Sequence, residues 1–102
     1  MELGPEHNGA ALTVRVGETI TVRLPENPTT GFRWRPDVDT DSLAIADDRY
    51  QGPDQPRGAQ GVHVFDLSPT RAGATALRLV KARSWESEPA DVFAVTLDVQ
   101  PA

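Results

Sequence analysis

The 102-residue chain contains no cysteine. That excludes disulfide cross-links, a thiolate nucleophile and zinc–thiolate sites, so the fold is held by packing alone. Histidine is scarce as well. His7 and His63 are the only two, neither stands at a metal-ligand spacing, and a lone histidine among valines, as at His63, reads as structural or surface. The acids are scattered over turns, and the chain has no nucleophile elbow, paired-carboxylate site, P-loop or dinucleotide glycine pattern. No catalytic residue, metal or cofactor is therefore expected, and an enzyme is not. No apolar run approaches the length that spans a membrane. The start, Met1-Glu2-Leu3-Gly4-Pro5, lacks the basic region and apolar core of a secretory signal. Two locations fit: inside the cell, or exported with a signal already removed. Lys and Arg number 10 against 15 Asp and Glu, a net charge of −5, which argues against nucleic acid and anionic membrane as partners.

What the chain does have is period-two alternation. At this length one domain is expected, marginally stable by about 5–15 kcal/mol. Residues 1–10 are polar and read as a flexible tail, with 11–102 as the single domain. Leu12, Val14 and Val16 alternate with Thr13 and Arg15. Gly17-Glu18 turns the chain, and Ile20, Val22 and Leu24 then alternate with Thr19, Thr21 and Arg23, the pattern of consecutive half-buried strands. Phe32, Trp34 and Pro36 share a face, and Trp34 is assigned to the core. Leu43 and Ile45 mark a short strand, and the stretch from Asp47 to Arg57 reads as a surface loop. Within it, Pro53-Asp54-Gln55-Pro56 matches a proline-rich ligand pattern, but a single copy without a basic flank reads as loop. Val62 to Leu67 is a strand with Phe65 and Leu67 inward, and Thr75 to Ala82 another with Leu77 and Leu79 inward. Phe93, Val95, Leu97 and Val99 alternate through the last. The fold class is all-β, an antiparallel immunoglobulin-like sandwich of about seven to eight strands.

Three loops stand out. Asn27-Pro28-Thr29-Thr30-Gly31-Phe32 is stiff by composition: Pro28 fixes its own φ and keeps Asn27 out of the helical region, and Gly31 can take a positive φ. Asn27-Pro28-Thr29 is no glycosylation acceptor, because its middle residue is proline. The second loop is Gly58-Ala59-Gln60-Gly61, and the third is Arg83-Ser84-Trp85-Glu86, where Trp85 has no apolar partner nearby in sequence. Each has a bland reading too: a strand connector, an ordinary hairpin loop, and a lid over one end of the core. Alternate connections of a sandwich emerge at the same end, so the three are expected to cluster.

Asn-Pro-Thr-Thr-Gly-Phe, followed in order by the glycine loop and the Arg83–Glu86 loop, resembles the chagasin family, immunoglobulin-like inhibitors of papain-like cysteine proteases. The similarity runs from about Gly17 to Val99. It implies a reversible competitive inhibitor, a monomer, whose partner is a papain-like enzyme such as a cathepsin L-like protease. By the family pattern Thr29 would lie over the catalytic Cys–His pair, with Thr30, Gly31 and Phe32 shaping the turn. Phe32 reads equally well as core. The glycine loop would run beside the substrate channel through backbone hydrogen bonds, and Trp85 would be the anchor. Arg83 would position its loop, pair with an acid on the target, or stand solvated. Two departures are visible: Gln60 where the family tends to have glycine, and Ser84 in place of proline. The second makes that loop less pre-organised, by about 0.4–1 kcal/mol. Both favour an alternative, a non-inhibitory immunoglobulin-like adhesion module. A carbohydrate-binding sandwich would need Trp85 to stack on a sugar.

Overall fold

The computed structural model describes residues 1–52 and 60–102. Eight strands, β1 (Glu2–Leu3), β2 (Ala11–Arg15), β3 (Ile20–Glu26), β4 (Arg33–Pro36), β5 (Leu43–Gln51), β6 (Gly61–Pro69), β7 (Gly73–Ala82) and β8 (Asp91–Gln100), form two four-stranded sheets. Their orders are β1-β3-β6-β5 and β2-β8-β7-β4. The sandwich is the expected one. Its central pairings are antiparallel, and each sheet gains a parallel strand at one edge, β1 on β3 and β2 on β8.

The alternating residues place the core between the sheets. Ile20, Val22, Leu24, Phe65 and Leu67 face Leu77, Leu79, Phe93, Val95, Leu97 and Val99, and Trp34 closes one end. Because β2 belongs to one sheet and β3 to the other, the turn at Gly17 carries the chain across the sandwich. Gly17 takes φ +87, a left-handed conformation that favours glycine. On the outer face of the first sheet, Val64 is fully buried between its cross-strand neighbours Arg23 and Arg49, whose aliphatic stems can cover it.

Two expectations are corrected. The first ten residues are docked: Leu3 joins the core, Thr21 N–H donates to the Met1 carbonyl (2.8 Å), and Asn8 Oδ1 accepts from Ala94 N–H (2.9 Å). A polar composition concealed one buried leucine and a set of backbone bonds. Residues 47–51 belong to β5 and not to a loop; the remainder of the expected loop, with the Pro53–Pro56 pattern, lies outside the described residues. Strand β5 carries a register shift between Ile45 and Asp47, a bulge that reverses which residues face inward.

Beyond that bulge, Asp66 accepts from the Thr21 hydroxyl (2.7 Å) and the Arg49 guanidinium (3.0 Å). In that order these hold its carboxyl below the usual carboxylate range. A depressed carboxylate adds stability that is present at neutral pH and lost as pH falls through its folded-state value.

Two measurements follow from this packing. Leu3→Ala is expected to lower unfolding stability by about 2–3 kcal/mol in urea titration, and an unchanged midpoint would mean the N-terminal strand is not docked in solution. Asp66→Asn is expected to lose no more than about 1 kcal/mol at pH 7, the group being partly exposed. Its difference from the parent should vanish in acid strong enough to protonate Asp66.

Candidate functional site

The loop from Asn27 to Phe32 connects strands of different sheets, so no ladder of backbone bonds closes it. Local polar contacts do. Asn27 caps a single 3-10 turn over Pro28–Thr30: its Oδ1 accepts from Thr29 N–H (3.1 Å) and from the Thr29 hydroxyl (2.7 Å). The Thr30 hydroxyl and amide both donate to the Asn27 carbonyl (2.8 and 3.1 Å). Gly31 then turns the chain at φ +80, its N–H donating to the Pro28 carbonyl (3.1 Å). Thr29 and Thr30 are left exposed at the tip.

At the base, the buried Glu26 accepts the backbone N–H of Trp34 (2.5 Å), and the indole N–H of Trp34 donates to the Pro25 carbonyl (2.9 Å). Trp34 thus fills the core, as expected, and also ties the exit of the loop to its entry. The other arm of the same base is His63. Its ring lies within hydrogen-bond reach of Glu26 on one side and of Asp48 on the other, and it is 7 % exposed. Sequence reasoning left His63 as structural or surface and placed Asp48 in a loop. The signal that could have found the pair is Glu26 itself, an acid at an inward position of an alternating strand.

The Arg83–Glu86 loop, between β7 and β8, lies against the wedge. The Arg83 guanidinium stacks over the Phe32 ring at 4.2 Å, its Nε donates to the Thr30 carbonyl (3.3 Å), and Nη1 donates to Glu86 (3.4 Å). These contacts place Arg83 between the two loops. Phe32 is half-buried beneath it and outside the core cluster. Trp85 is 73 % exposed, which excludes a lid over the core. Its ring edge lies 3.5 Å from where a Cβ at Gly31 would stand. Ser84 is exposed beside it, and Gly31, Arg33, Arg35, Ala82, Ser84 and Trp85 line a shallow groove of about 420 Å³.

The start of β6 reaches the same end. Gly61 pairs with Glu26 across β3 and β6, so Gln60, exposed, stands next to the entry of the wedge. A Cβ at Gly61 would collide with the Tyr50 hydroxyl and the Gln51 carbonyl, so glycine is required there by close approach. Gly58 and Ala59 lie outside the described residues. The result is one end of the sandwich bearing a stiff threonine-tipped turn, an exposed indole bolted to it through Arg83, and the start of β6. Among the described residues no group of three or more His, Cys, Asp or Glu could hold a metal ion. The chemistry on offer is contact: backbone, hydroxyl and aromatic surface.

The chain is similar to known proteins over most of its length. The family model described as "Chagasin family peptidase inhibitor I42" matches residues 13–97. Chagasin of Trypanosoma cruzi is 40 % identical over 85 residues, covering 78 % of this chain and 77 % of that protein. Amoebiasin-2 of Entamoeba histolytica is 26 % identical over 100 residues, covering 95 % and 81 %. Among solved structures, the cysteine protease inhibitor EhICP2 from Entamoeba histolytica superposes with a TM-score of 0.88 over 97 % of this chain and 94 % of that one, at 24 % identity, a likeness of fold. With most of its length matched by the family model and by a relative at 40 % identity, this chain belongs to the chagasin family of peptidase inhibitors.

Proposed function

We infer that the chain is a reversible competitive inhibitor of papain-like cysteine proteases, acting through the end of the sandwich that carries the three loops. The observation that carries this reading is the stitching of wedge to anchor: Arg83 donates to the Thr30 carbonyl and covers Phe32 while Trp85 stays 73 % exposed. An isolated turn would be a connector, and an isolated tryptophan an accident of surface. Held together, they form a preshaped convex edge of the kind that fills a cleft at small entropic loss.

The target chemistry is a thiolate beside an imidazolium on the floor of a groove. For the wedge to lie there uncut, none of its carbonyl carbons can reach the thiolate in line with the oxyanion hole, and near-attack geometry is exacting. The hydrogen bonds from Thr29, Thr30 and Gly31 back to Asn27 and Pro28 hold the turn against that rearrangement. Thr29 and Thr30 meet the catalytic floor, Trp85 packs on one flank as the anchor, and Gln60-Gly61 with Gly58 and Ala59 runs along the other. The interface is of standard size, about 1,200–2,000 Å² in total. An adhesion module that kept the wedge as a mere turn would have no use for an exposed indole clamped to it.

Titration of papain or a cathepsin L-like enzyme with the protein tests the reading, with peptide hydrolysis as readout. Unchanged activity at micromolar inhibitor across several such enzymes would refute it. Trp85→Ala is expected to weaken inhibition by about 30-fold or more, the effect of losing an anchor worth about 2 kcal/mol, and Thr29→Arg to weaken it by crowding the floor. Both should melt within about 4 °C of the parent, since neither side chain is in the core. Gly31→Ala should behave differently, losing affinity and about 1–2 kcal/mol of stability together, because its φ of +80 strains any residue with a Cβ.

A further inference from the structure

Beneath the wedge, the His63 ring stands between two carboxylates. Its Nδ1 lies 3.1 and 3.2 Å from the Glu26 oxygens, and its Nε2 contacts Asp48 Oδ1. Phe65 stacks on the ring at 4.3 Å with planes 6° apart. Tyr50 is its direct partner on β5, and Leu24 its partner on β3. The titratable groups that face it are therefore Glu26 from β3 and Asp48 and Tyr50 from β5. From β4 comes only the Trp34 N–H, which is bound to Glu26. Among the described residues, no lysine or arginine forms an ion pair with either carboxylate. The ring is the donor that both of them share.

Donor accounting decides the form of the ring that fits. A neutral imidazole donates through one nitrogen and presents a lone pair at the other, which here would oppose a carboxylate oxygen at contact distance. The imidazolium donates at both nitrogens, and both bonds are then charge-assisted. The clamp joins three strands. Glu26 is the last residue of β3, immediately before the wedge, while Asp48 lies on β5 and His63 on β6.

We propose that His63 is a positioning residue for the inhibitory edge: as an imidazolium held by Glu26 and Asp48 it fixes the entry of the wedge against strands β5 and β6, and losing its proton loosens that arrangement. Inhibition is consequently tighter at mildly acidic than at alkaline pH. The coupling to inhibition rests on the inhibitor reading above, whereas the clamp itself can be followed without a protease.

The test has two arms, run from about pH 5 to pH 9 to bracket the range in which histidine changes charge. Two-dimensional NMR follows the His63 ring with the amides of Thr29, Thr30 and Gly31; in parallel, inhibition constants against papain are measured for the parent and for His63→Gln. Taking the ratio of the two constants cancels the enzyme's own titration. The wedge amides are expected to shift in step with the ring. His63→Gln should inhibit about 10- to 100-fold more weakly at the acidic end, as when a buried carboxylate loses its donor, with the ratio falling toward one as the parent's ring deprotonates. Asp48→Asn, whose side chain is 43 % exposed and so should leave the fold intact, is expected to weaken inhibition at the acidic end in the same direction as His63→Gln, one of the two charge-assisted bonds of the ring being gone. A ratio that stays flat across the range, or wedge amides indifferent to the ring, overturns the proposal even if His63→Gln melts lower, since a histidine with only a packing role gives that pattern. Should papain go uninhibited at every pH while the wedge amides still follow the ring, the inhibitor reading falls and the clamp stands.

Discussion

The exposed end of this sandwich depends on one buried contact, the acceptance of the Trp34 backbone N–H by the Glu26 carboxylate at 2.5 Å. Strands β3 and β4 lie in different sheets, so the loop between them cannot be zipped by a ladder. Glu26 supplies a substitute for the missing rung from its side chain, and the Trp34 indole adds a second bond to the Pro25 carbonyl. A carboxylate only 1 % exposed would be costly without partners, by several kcal/mol. Among the described residues no buried side-chain polar atom lacks one.

Rigidity here is achieved without cross-links. A disulfide would restrict the unfolded chain; this domain instead restricts the folded loop, by bonding the Thr29, Thr30 and Gly31 amides and both threonine hydroxyls back to Asn27 and Pro28 and then clamping the result under Arg83. Stiffness matters twice for an inhibitor that occupies a catalytic cleft. It keeps the ordering entropy lost on binding small, and it withholds the small rearrangement that would turn a bound loop into a substrate. Ser84, where proline would have stiffened the Trp85 loop, gives back part of that benefit.

Strand β5 shows how a local irregularity can rearrange a site. In strict alternation Leu43 and Ile45 would be followed inward by Asp47, which would meet the core. The bulge after Ile45 moves the inward set by one residue. Asp47 then turns outward to Arg49, and Asp48 turns toward His63. An alternating pattern cannot show a shift of this kind, because the extra residue looks like the end of the strand. This is why the stretch from Asp47 reads as loop and why the clamp on His63 goes unseen.

Which face of β3 and of β8 is buried was decided by the sequence alone, because the side-chain period of two is written in the residues themselves: Ile20, Val22 and Leu24, or Phe93 through Val99. The stiffness of Asn27–Phe32 and the meeting of that loop with the Arg83–Glu86 loop at one end were also legible, the first from proline and glycine, the second from the parity of the connections. The partners of each strand were decided only in three dimensions. Ladder bonds are made by backbone groups common to every residue, so nothing in Glu2-Leu3 announces a parallel pairing with Thr21-Val22, nor in Ala11–Arg15 one with β8. The bond between Glu26 and Trp34, the Arg83 clamp and the sharing of His63 by two carboxylates all join residues distant in the chain or turned inward by a bulge, and such meetings are fixed by how the sheets pack rather than by any local preference.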